Sequence, residues 1–353
     1  MRVLIADDSA FMRQALARAI GETGGLEVVG RAKNGKEAVE LATQLKPDAI
    51  SLDIEMPEMD GLTALRHIMR ACPTRVLMCS SLTTAGSVQS LQALRMGAAD
   101  VIAKENGATL PGGKTFHEEY VRRLQALAES SIEARQVKPE IQTKTNQNSG
   151  PAWTPPRIER LDLIAIGSST GGPPVLETLL TALPANLPVP VVVAQHMPRI
   201  FTQSMAERLN DVAPLPVVHA EHGTPLRPGQ VYVCPGGEHA HVVRYAQNQL
   251  RLKVGPEPTT DLYYPSVDAL FHSIAEATGA RTLAFILTGI GEDGSKGAKT
   301  LRDAGGHIVA QDRASSVVYG MPRSVAERGL ASTVMSPDQM AALLGELATK
   351  AAA

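Results

Sequence analysis

One pattern, repeated twice, constrains this chain's fold more than any other feature: short apolar runs rich in Val, Ile and Leu alternate with amphipathic segments of helical period. In the first series the runs are RVLIA (2–6), EVVGRA (27–32), DAISL (48–52), RVLMC (75–79) and DVIA (100–103). Helical patterns near 10–21, 36–46, 61–71 and 87–96 separate them, and another at 115–135 closes the series. Strands joined through helices run parallel and bury both faces, so their sequences are apolar throughout rather than alternating. The second series comprises LDLIAI (161–166), VVVA (191–194), VYV (231–233), HVVRY (241–245), LAFIL (283–287) and HIVA (307–310). Its helical patterns lie near 172–183, 200–210, 267–278, 294–304 and 337–349. Between the two series, VKPEIQTKTNQNSGPAWTPPRIER (137–160) has too little to bury to offset the entropy of ordering it, and reads as a flexible linker. The pattern therefore predicts an α/β chain of two doubly wound domains, the second mainly parallel. The first spans 1–125 with its last helix continuing to about 136, and the second spans 161–350. A length of 353 residues, at roughly 150 per domain, leaves each enough chain for its own core.

Composition removes several classes of function. Lys plus Arg number 34 against 36 Asp plus Glu, a formal charge of −2, so no basic footprint for nucleic acid or polybasic membrane patch is expected. Aromatic residues make up 3%, too few for a base-stacking platform. No apolar run approaches the roughly 18 to 20 residues that span a bilayer, so direct membrane insertion is not expected. In MRVLIADDSAF two acids follow a short apolar run, unlike a secretory leader, and a cytoplasmic chain is expected. Cys72, Cys79 and Cys234 are odd in number and lack a CxxC spacing, which points to reduced, buried thiols.

In open α/β sheets ligands collect at the carboxyl ends of the strands, so polar residues there are the ones to examine. In the first domain Asp7 and Asp8 follow the first strand, Asp53 closes the third, Ser80 follows the fourth and Lys104 the fifth. Three carboxylates on one rim repel one another unless a hard cation neutralises them, and oxygen ligands favour Mg²⁺. The constellation suits phosphoryl transfer to Asp53, with Lys104 offsetting charge and Ser80 hydrogen-bonding the product. The plainer alternative is a set of solvated acids at loop starts. The segments IADDSAFMR, SLDIEMPEMDGL, MCSSLT and VIAKE together resemble a two-component response-regulator receiver domain of flavodoxin-like fold. That resemblance implies phosphorylation of Asp53 by a histidine kinase, with Asp8, Asp53 and the backbone carbonyl of Glu55 on Mg²⁺ and Asp7 acting through water. Receivers usually carry Pro after the lysine, whereas this chain has Glu105. A non-proline cis bond costs about 3 kcal/mol, so the loop is expected to differ there.

In the second domain Gly167-Ser168-Ser169-Thr170-Gly171 fits G-x-S-x-G between a strand and a helix, a turn that exposes the serine beside backbone N–H groups. Gly and Ser also build ordinary helix starts, so the motif needs a base and an orienting acid. His196 follows the VVVA strand and Asp293 follows LAFIL, so Ser169, His196 and Asp293 arrive from three strand ends. Their order differs from the α/β-hydrolases, in which the acid precedes the histidine. Two rivals stay open. Gly289-x-Gly291-x-x-Gly294, with Asp312 at the next strand end, matches a dinucleotide fingerprint, although Glu292 and Asp293 crowd the turn with negative charge. His239 and His241 form an H-x-H pair that lacks a third metal ligand of clear spacing.

Taken together, IAIGSSTGGP, VVVAQHMP, TQSMAERLN, VYVCPGGEH, ILTGIGEDG and AQDRASSVVYGMP resemble the catalytic domain of the chemotaxis protein-glutamate methylesterases, the CheB type. The resemblance implies hydrolysis of glutamate methyl esters on methyl-accepting chemoreceptors and deamidation of receptor glutamines, with a chemotaxis histidine kinase as phosphodonor and no cofactor for the esterase. It assigns Ser169 as nucleophile, His196 as base, Asp293 as orienting acid, and the backbone N–H groups of Thr170 and Ile290 as oxyanion donors. The family usually has Met at position 290; a backbone donor survives that change. The expected regulation is relief of inhibition on phosphorylation of Asp53. The different-class alternative, a binding-only regulator, is disfavoured by the intact Ser169, His196 and Asp293.

Overall fold

The computed structural model describes residues 1–104, 115–136, 154–156, 160–245, 249–256 and 262–349. Glu105 and most of the 137–160 segment lie outside the described residues. The described chain is organised around two separate sheets, and each is built from the βα repeats visible in the sequence.

The N-terminal sheet contains β1 (Arg2–Ala6), β2 (Glu27–Ala32), β3 (Ala49–Asp53), β4 (Arg75–Ser81) and β5 (Asp100–Lys104), in the order β2-β1-β3-β4-β5. β1 pairs with β2 and β3, and β3 with β4, all parallel. This is the flavodoxin-like order, with its topological switch between β1 and β3, where ligands of such sheets sit. Its helices are α1 (Ala10–Thr23), α2 (Gly35–Leu45), α3 (Gly61–Ala71), α4 (Thr84–Arg95) and α5 (Phe116–Gln136). Short polar side chains start them as helix caps do. Ser9 accepts from Met12 N, Asp60 from Thr63 N at 2.7 Å, and Asn34 from Glu37 N at 2.8 Å. Glu37 reaches back to Lys33 N at 3.0 Å, which completes a reciprocal cap. Every residue of β3 is buried, Ser51 and Asp53 included, as a strand covered on both faces requires.

The C-terminal sheet has seven strands: β6 (Leu163–Ser168), β7 (Val191–Gln195), β8 (Val217–His219), β9 (Val231–Val233), β12 (Thr282–Ile286), β13 (His307–Gln311) and β14 (Thr333–Met335). They lie in the order β14-β13-β12-β6-β7-β9-β8, with every neighbouring pair parallel. The chain builds outward from β6 through β7, then returns to place β12 on the other side of β6. The crevice at the carboxyl ends of β6, β7 and β12 is therefore a topological switch point. The helices are α6 (Gly172–Thr181), α7 (Arg199–Val212), α8 (Val267–Ala277), α9 (Ser295–Asp303), α10 (Met321–Glu327) and α11 (Pro337–Thr349).

One predicted strand belongs elsewhere. HVVRY at 241–245 forms most of β10 (His239–Arg244), which leaves the parallel sheet and pairs antiparallel with β11 (Leu250–Gly255). The reason is visible in LRLKVG, whose burial alternates along the strand as expected for a sheet packed on one face only. The hairpin lies over α8, where Val242 N donates to Ser273 Oγ at 2.9 Å, and Val242, Leu252, Phe271 and Ile274 share one buried cluster. β8 and β14, three residues each, are too short to announce themselves by periodicity.

A buried ion cluster ties α5 to β5. Glu119 accepts from Arg122 and Arg123, and Arg123 also donates to Asp100 Oδ2 at 2.9 Å. Burial alone would raise the Glu119 carboxyl, but the two guanidinium groups outweigh it and bring it down to about 2. A lowered carboxyl contributes stability that is complete above its unfolded value and disappears as pH falls through its folded one. Glu119→Gln is therefore expected to cost on the order of 2 to 3 kcal/mol at pH 7. Urea unfolding at successively lower pH should show the deficit closing between about pH 5 and pH 2; a deficit constant across that range would refute the assignment.

Candidate functional site

At the N-terminal sheet's switch point, the polypeptide leaves β1 as Asp7-Asp8 and leaves β3 at Asp53. Asp7 and Asp53 are buried and Asp8 is exposed, and ligand oxygens from all three lie within 4.8 Å of one another. Asp7 Oδ1 accepts from Ser9 N at 2.9 Å, and Arg13 Nη1 donates to the Asp7 and Asp8 carbonyls. Arg13 is thus engaged by main chain. Gly61 opens α3 against Asp53 so closely that an added Cβ would fall 2.0 Å from the Asp53 carbonyl. Ser80 and Lys104 sit at the same ends of β4 and β5; both lie within their strands rather than after them, Lys104 as the last residue of β5. Like charges gathered at this distance, two of them out of water, call for a cation, and an all-oxygen donor set fits a hard divalent ion. Among the described residues this is the only grouping of three or more acid, His or Cys side chains that could hold a metal.

At the second switch point the strand register sets the geometry. Ser168 on β6 pairs with Gln195 on β7, so the next residues, Ser169 and His196, leave neighbouring strand ends together. His196 N donates to Ser168 O at 3.1 Å, and Ser169 N donates to Thr288 O, just past β12, also at 3.1 Å. Ser169 is 4% and His196 5% exposed. Gly289 approaches Ser169 so closely that an added Cβ would fall 2.7 Å from the serine Cβ.

His196 Nε2 lies 2.8 Å from Asp293 Oδ2. A carboxylate only accepts, so Nε2 carries the proton and Nδ1 keeps its lone pair. Nδ1 is buried without a hydrogen-bond partner. The ring is further fixed by Tyr263, stacked at 4.2 Å between centroids with planes 3° apart. In the serine proteases the acid binds Nδ1 and the serine Nε2; here the acid is on Nε2.

Asp293 is held by the start of α8. Its Oδ1 accepts from Ser266 Oγ (3.1 Å), Asp268 N (3.0 Å) and Gly294 N (3.0 Å), and its Oδ2 accepts from Val267 N at 2.7 Å. Ser266 also caps α8 through Ala269 N. A helix N-terminus offers unpaired N–H groups and a favourable dipole, so a buried anion is stable there. Burial would raise the Asp293 carboxyl; the hydrogen bond from His196, then those from the Val267 and Asp268 amides, hold it below the usual range. Neighbouring Asp268, which accepts from Gly297 N at 2.7 Å, is pushed up by burial and by the charge on Asp293.

The structure accounts otherwise for both rival motifs. The fingerprint glycines serve close packing: Gly289 against Ser169 and Met321, Gly294 against Ile286 and Val267, while the loop between them carries Asp293. Asp312 accepts from Ser315 N and Oγ within its own turn. His239 Nδ1 accepts from Ser266 N at 3.3 Å, and its ring is 6.4 Å from that of His241. The sequence reading missed Gln195, Tyr263 and the role of Ser266. Ser266 has the signature of a helix cap before an apolar run, but that its helix start holds Asp293 depends on tertiary placement.

Comparison with known proteins identifies the family. The family profile for the CheB methylesterase matches residues 164–344, and that for the response regulator receiver domain matches residues 3–110. A protein-glutamate methylesterase/protein-glutamine glutaminase of Oleidesulfovibrio alaskensis is 40% identical over 97% of each chain. Its counterpart in Archaeoglobus fulgidus is 44% identical over 93% of each. The crystal structure of the Thermotoga maritima CheB methylesterase catalytic domain, 39% identical, superimposes with a TM-score of 0.51 over 53% of this chain and 98% of its own. With both profiles in chain order and relatives matched nearly end to end, this chain belongs to the protein-glutamate methylesterase/protein-glutamine glutaminase family and carries a receiver domain ahead of its methylesterase domain.

Proposed function

We propose that this chain is a phosphorylation-regulated serine hydrolase. It removes methyl groups from glutamate methyl esters on methyl-accepting chemoreceptors and deamidates receptor glutamines, and so serves adaptation in chemotaxis. Its receiver occupies residues 1–125 with α5 continuing to 136, its linker 137–160 and its esterase domain 161–350. The observation that carries the reading is the 2.8 Å bond from His196 Nε2 to Asp293, which leaves a buried, unpartnered Nδ1 next to the strand end bearing Ser169.

In the reaction His196 Nδ1 takes the Ser169 hydroxyl proton as Oγ attacks the side-chain carbonyl carbon of the receptor glutamate methyl ester. Negative charge moves to the carbonyl oxygen, where the Thr170 and Ile290 amides stabilise it. Collapse breaks the bond to the methoxy oxygen, which leaves as methanol with the proton from the imidazolium. A water molecule then gives its proton to His196 and attacks the acyl group, and Ser169 is released with glutamate as product. A glutamine side chain follows the same course and loses ammonia. Asp293 keeps the Nε2 tautomer and offsets the imidazolium charge. The esterase steps use side chains and backbone alone.

In the receiver, Asp53 is the phosphoryl acceptor and a chemotaxis histidine kinase the donor. Asp8, Asp53 and the Glu55 carbonyl, with Asp7 alongside, would hold Mg²⁺; the three clustered carboxylates are the feature that fits it. When bound, the ion supplies positive charge to the phosphoryl oxygens. Lys104 adds a second positive charge and Ser80 a hydroxyl donor. No described helix is long and apolar enough to cross a membrane.

Three results are expected. Methanol release from methylated receptor membranes should vanish in Ser169→Ala. It should rise with a small phosphodonor and Mg²⁺ in the parent protein but not in Asp53→Asn; a Ser169→Ala protein with full activity would overturn the hydrolase mechanism. Asp293→Asn should lower kcat by about 10³- to 10⁴-fold. The Asp268 and Gly294 amides retain the side-chain oxygen, so the Asn nitrogen meets Nε2 and drives the ring proton to Nδ1. A kcat within tenfold of the parent would show that the tautomer is not set there.

A further inference from the structure

We infer that Gln195 is a positioning residue for oxyanion stabilisation, acting by fixing the peptide plane that carries the Thr170 amide. The inference rests on the reading above of Thr170 and Ile290 as oxyanion donors. Each amide shares a planar peptide with the preceding carbonyl: Thr170 N–H with Ser169 C=O, and Ile290 N–H with Gly289 C=O. Both bonds are trans, so N–H and C=O point in opposite directions and pinning the oxygen aims the amide.

The two carbonyls are pinned differently. Gly289 O accepts from Gly320 N at 3.1 Å and Met321 N at 3.0 Å, main-chain donors at the start of α10. Ser169 O accepts from the main chain at one side, Gly172 N at 2.8 Å, and from a side chain at the other, Gln195 Nε2 at 2.9 Å. Gln195 is 1% exposed, and its Oε1 accepts from Ser168 Oγ at 2.6 Å. This amide orientation is fixed by chemistry, because a carbonyl only accepts and the nitrogen must therefore face Ser169 O. Room for the group comes from Gly172, the first residue of α6, where an added Cβ would lie 2.3 Å from Gln195 Oε1. One strand end thus supplies both the base, His196, and the clamp that aims a donor amide. Gly289 O has two main-chain donors, whereas Ser169 O has one and takes its second from Gln195, so that half of the hold on the Thr170 plane is open to substitution.

The test uses the full chain with phosphodonor and two probes: a receptor-helix peptide carrying a glutamate γ-methyl ester, and the same peptide with the O-methyl thionoester. Gln195→Met keeps length and volume without a donor, and Gln195→Glu sets a carboxylate oxygen against Ser169 O. Both should lower kcat on the oxo ester by about 10- to 100-fold with KM within about twofold, a fraction of what loss of a whole oxyanion donor costs. The preference for oxo over thiono ester should shrink in proportion, because sulfur accepts hydrogen bonds poorly. A purely structural role would leave that preference intact. Should Gln195→Met not fold, Ser168→Ala, which removes the hydroxyl that holds Gln195 Oε1, reads the same split. A folded Gln195→Met with kcat within threefold of the parent, or with lowered kcat and unchanged oxo/thiono preference, overturns the inference. Ser169→Ala run in parallel separates the two levels: turnover there would sink the nucleophile assignment itself, whatever Gln195 does.

Discussion

A single buried carboxylate, Asp293, organises the second domain. Burying an ionised acid costs several kcal/mol unless its oxygens are satisfied. Here satisfaction comes from three directions: the first amides of α8, the Ser266 hydroxyl, and His196 Nε2 at the end of β7. Those partners lie far apart in sequence, so the Asp293 loop, the start of α8 and the β7 terminus have to meet at one point. The sheet order makes this achievable, since β12 returns beside β6 and delivers its following loop to the crevice already flanked by β7. Once Asp293 is seated, the tautomer of His196 follows, and with it the availability of Nδ1.

The receiver rim solves the opposite electrostatic problem. There three carboxylates are brought within 4.8 Å, and the nearby Arg13 spends its donors on the main chain of Asp7 and Asp8 rather than on their side chains. An all-oxygen cluster of that kind suits a hard divalent ion. In the esterase a helix terminus neutralises one acid permanently. In the receiver the proposed metal would bring further positive charge with the phosphoryl group, which is what a switch requires.

The fold was legible where burial is two-sided. VVVA and LAFIL could hardly be anything but central parallel strands, and β7 and β12 sit within a residue or so of where the runs predict. Legibility failed where the pattern was one-sided or brief: the antiparallel β10–β11 hairpin, and β8 and β14, which hold only three residues each. In the site, residues that carry charge at strand ends were visible, because strand ends are where parallel sheets place chemistry. Residues that act on the backbone were not. Gln195 reads as one more polar residue before His196, and Tyr263 as one of a Tyr pair, until register and stacking show what each touches. Sequence spacing encodes which face a side chain takes, but not which carbonyl its amide will find.

The dinucleotide-like spacing of Gly289, Gly291 and Gly294 has a physical basis that goes beyond coincidence. A pyrophosphate and a tetrahedral oxyanion make the same demand, that backbone N–H groups approach a negatively charged oxygen with no Cβ in the way. Gly289 meets it by lying where an added Cβ would touch Ser169 and Met321, and Gly320 by packing onto the Gly289 carbonyl, where an added Cβ would fall 2.5 Å away. What separates the two uses is the charge beside the glycines. Asp293 in the turn would repel a permanent polyanion. In the reaction proposed above the oxyanion is transient and forms together with the His196 imidazolium, while the Asp293 carboxylate is already engaged by His196 and α8. The loop can therefore be glycine-rich and acidic at once, provided its anion exists only while His196 is protonated.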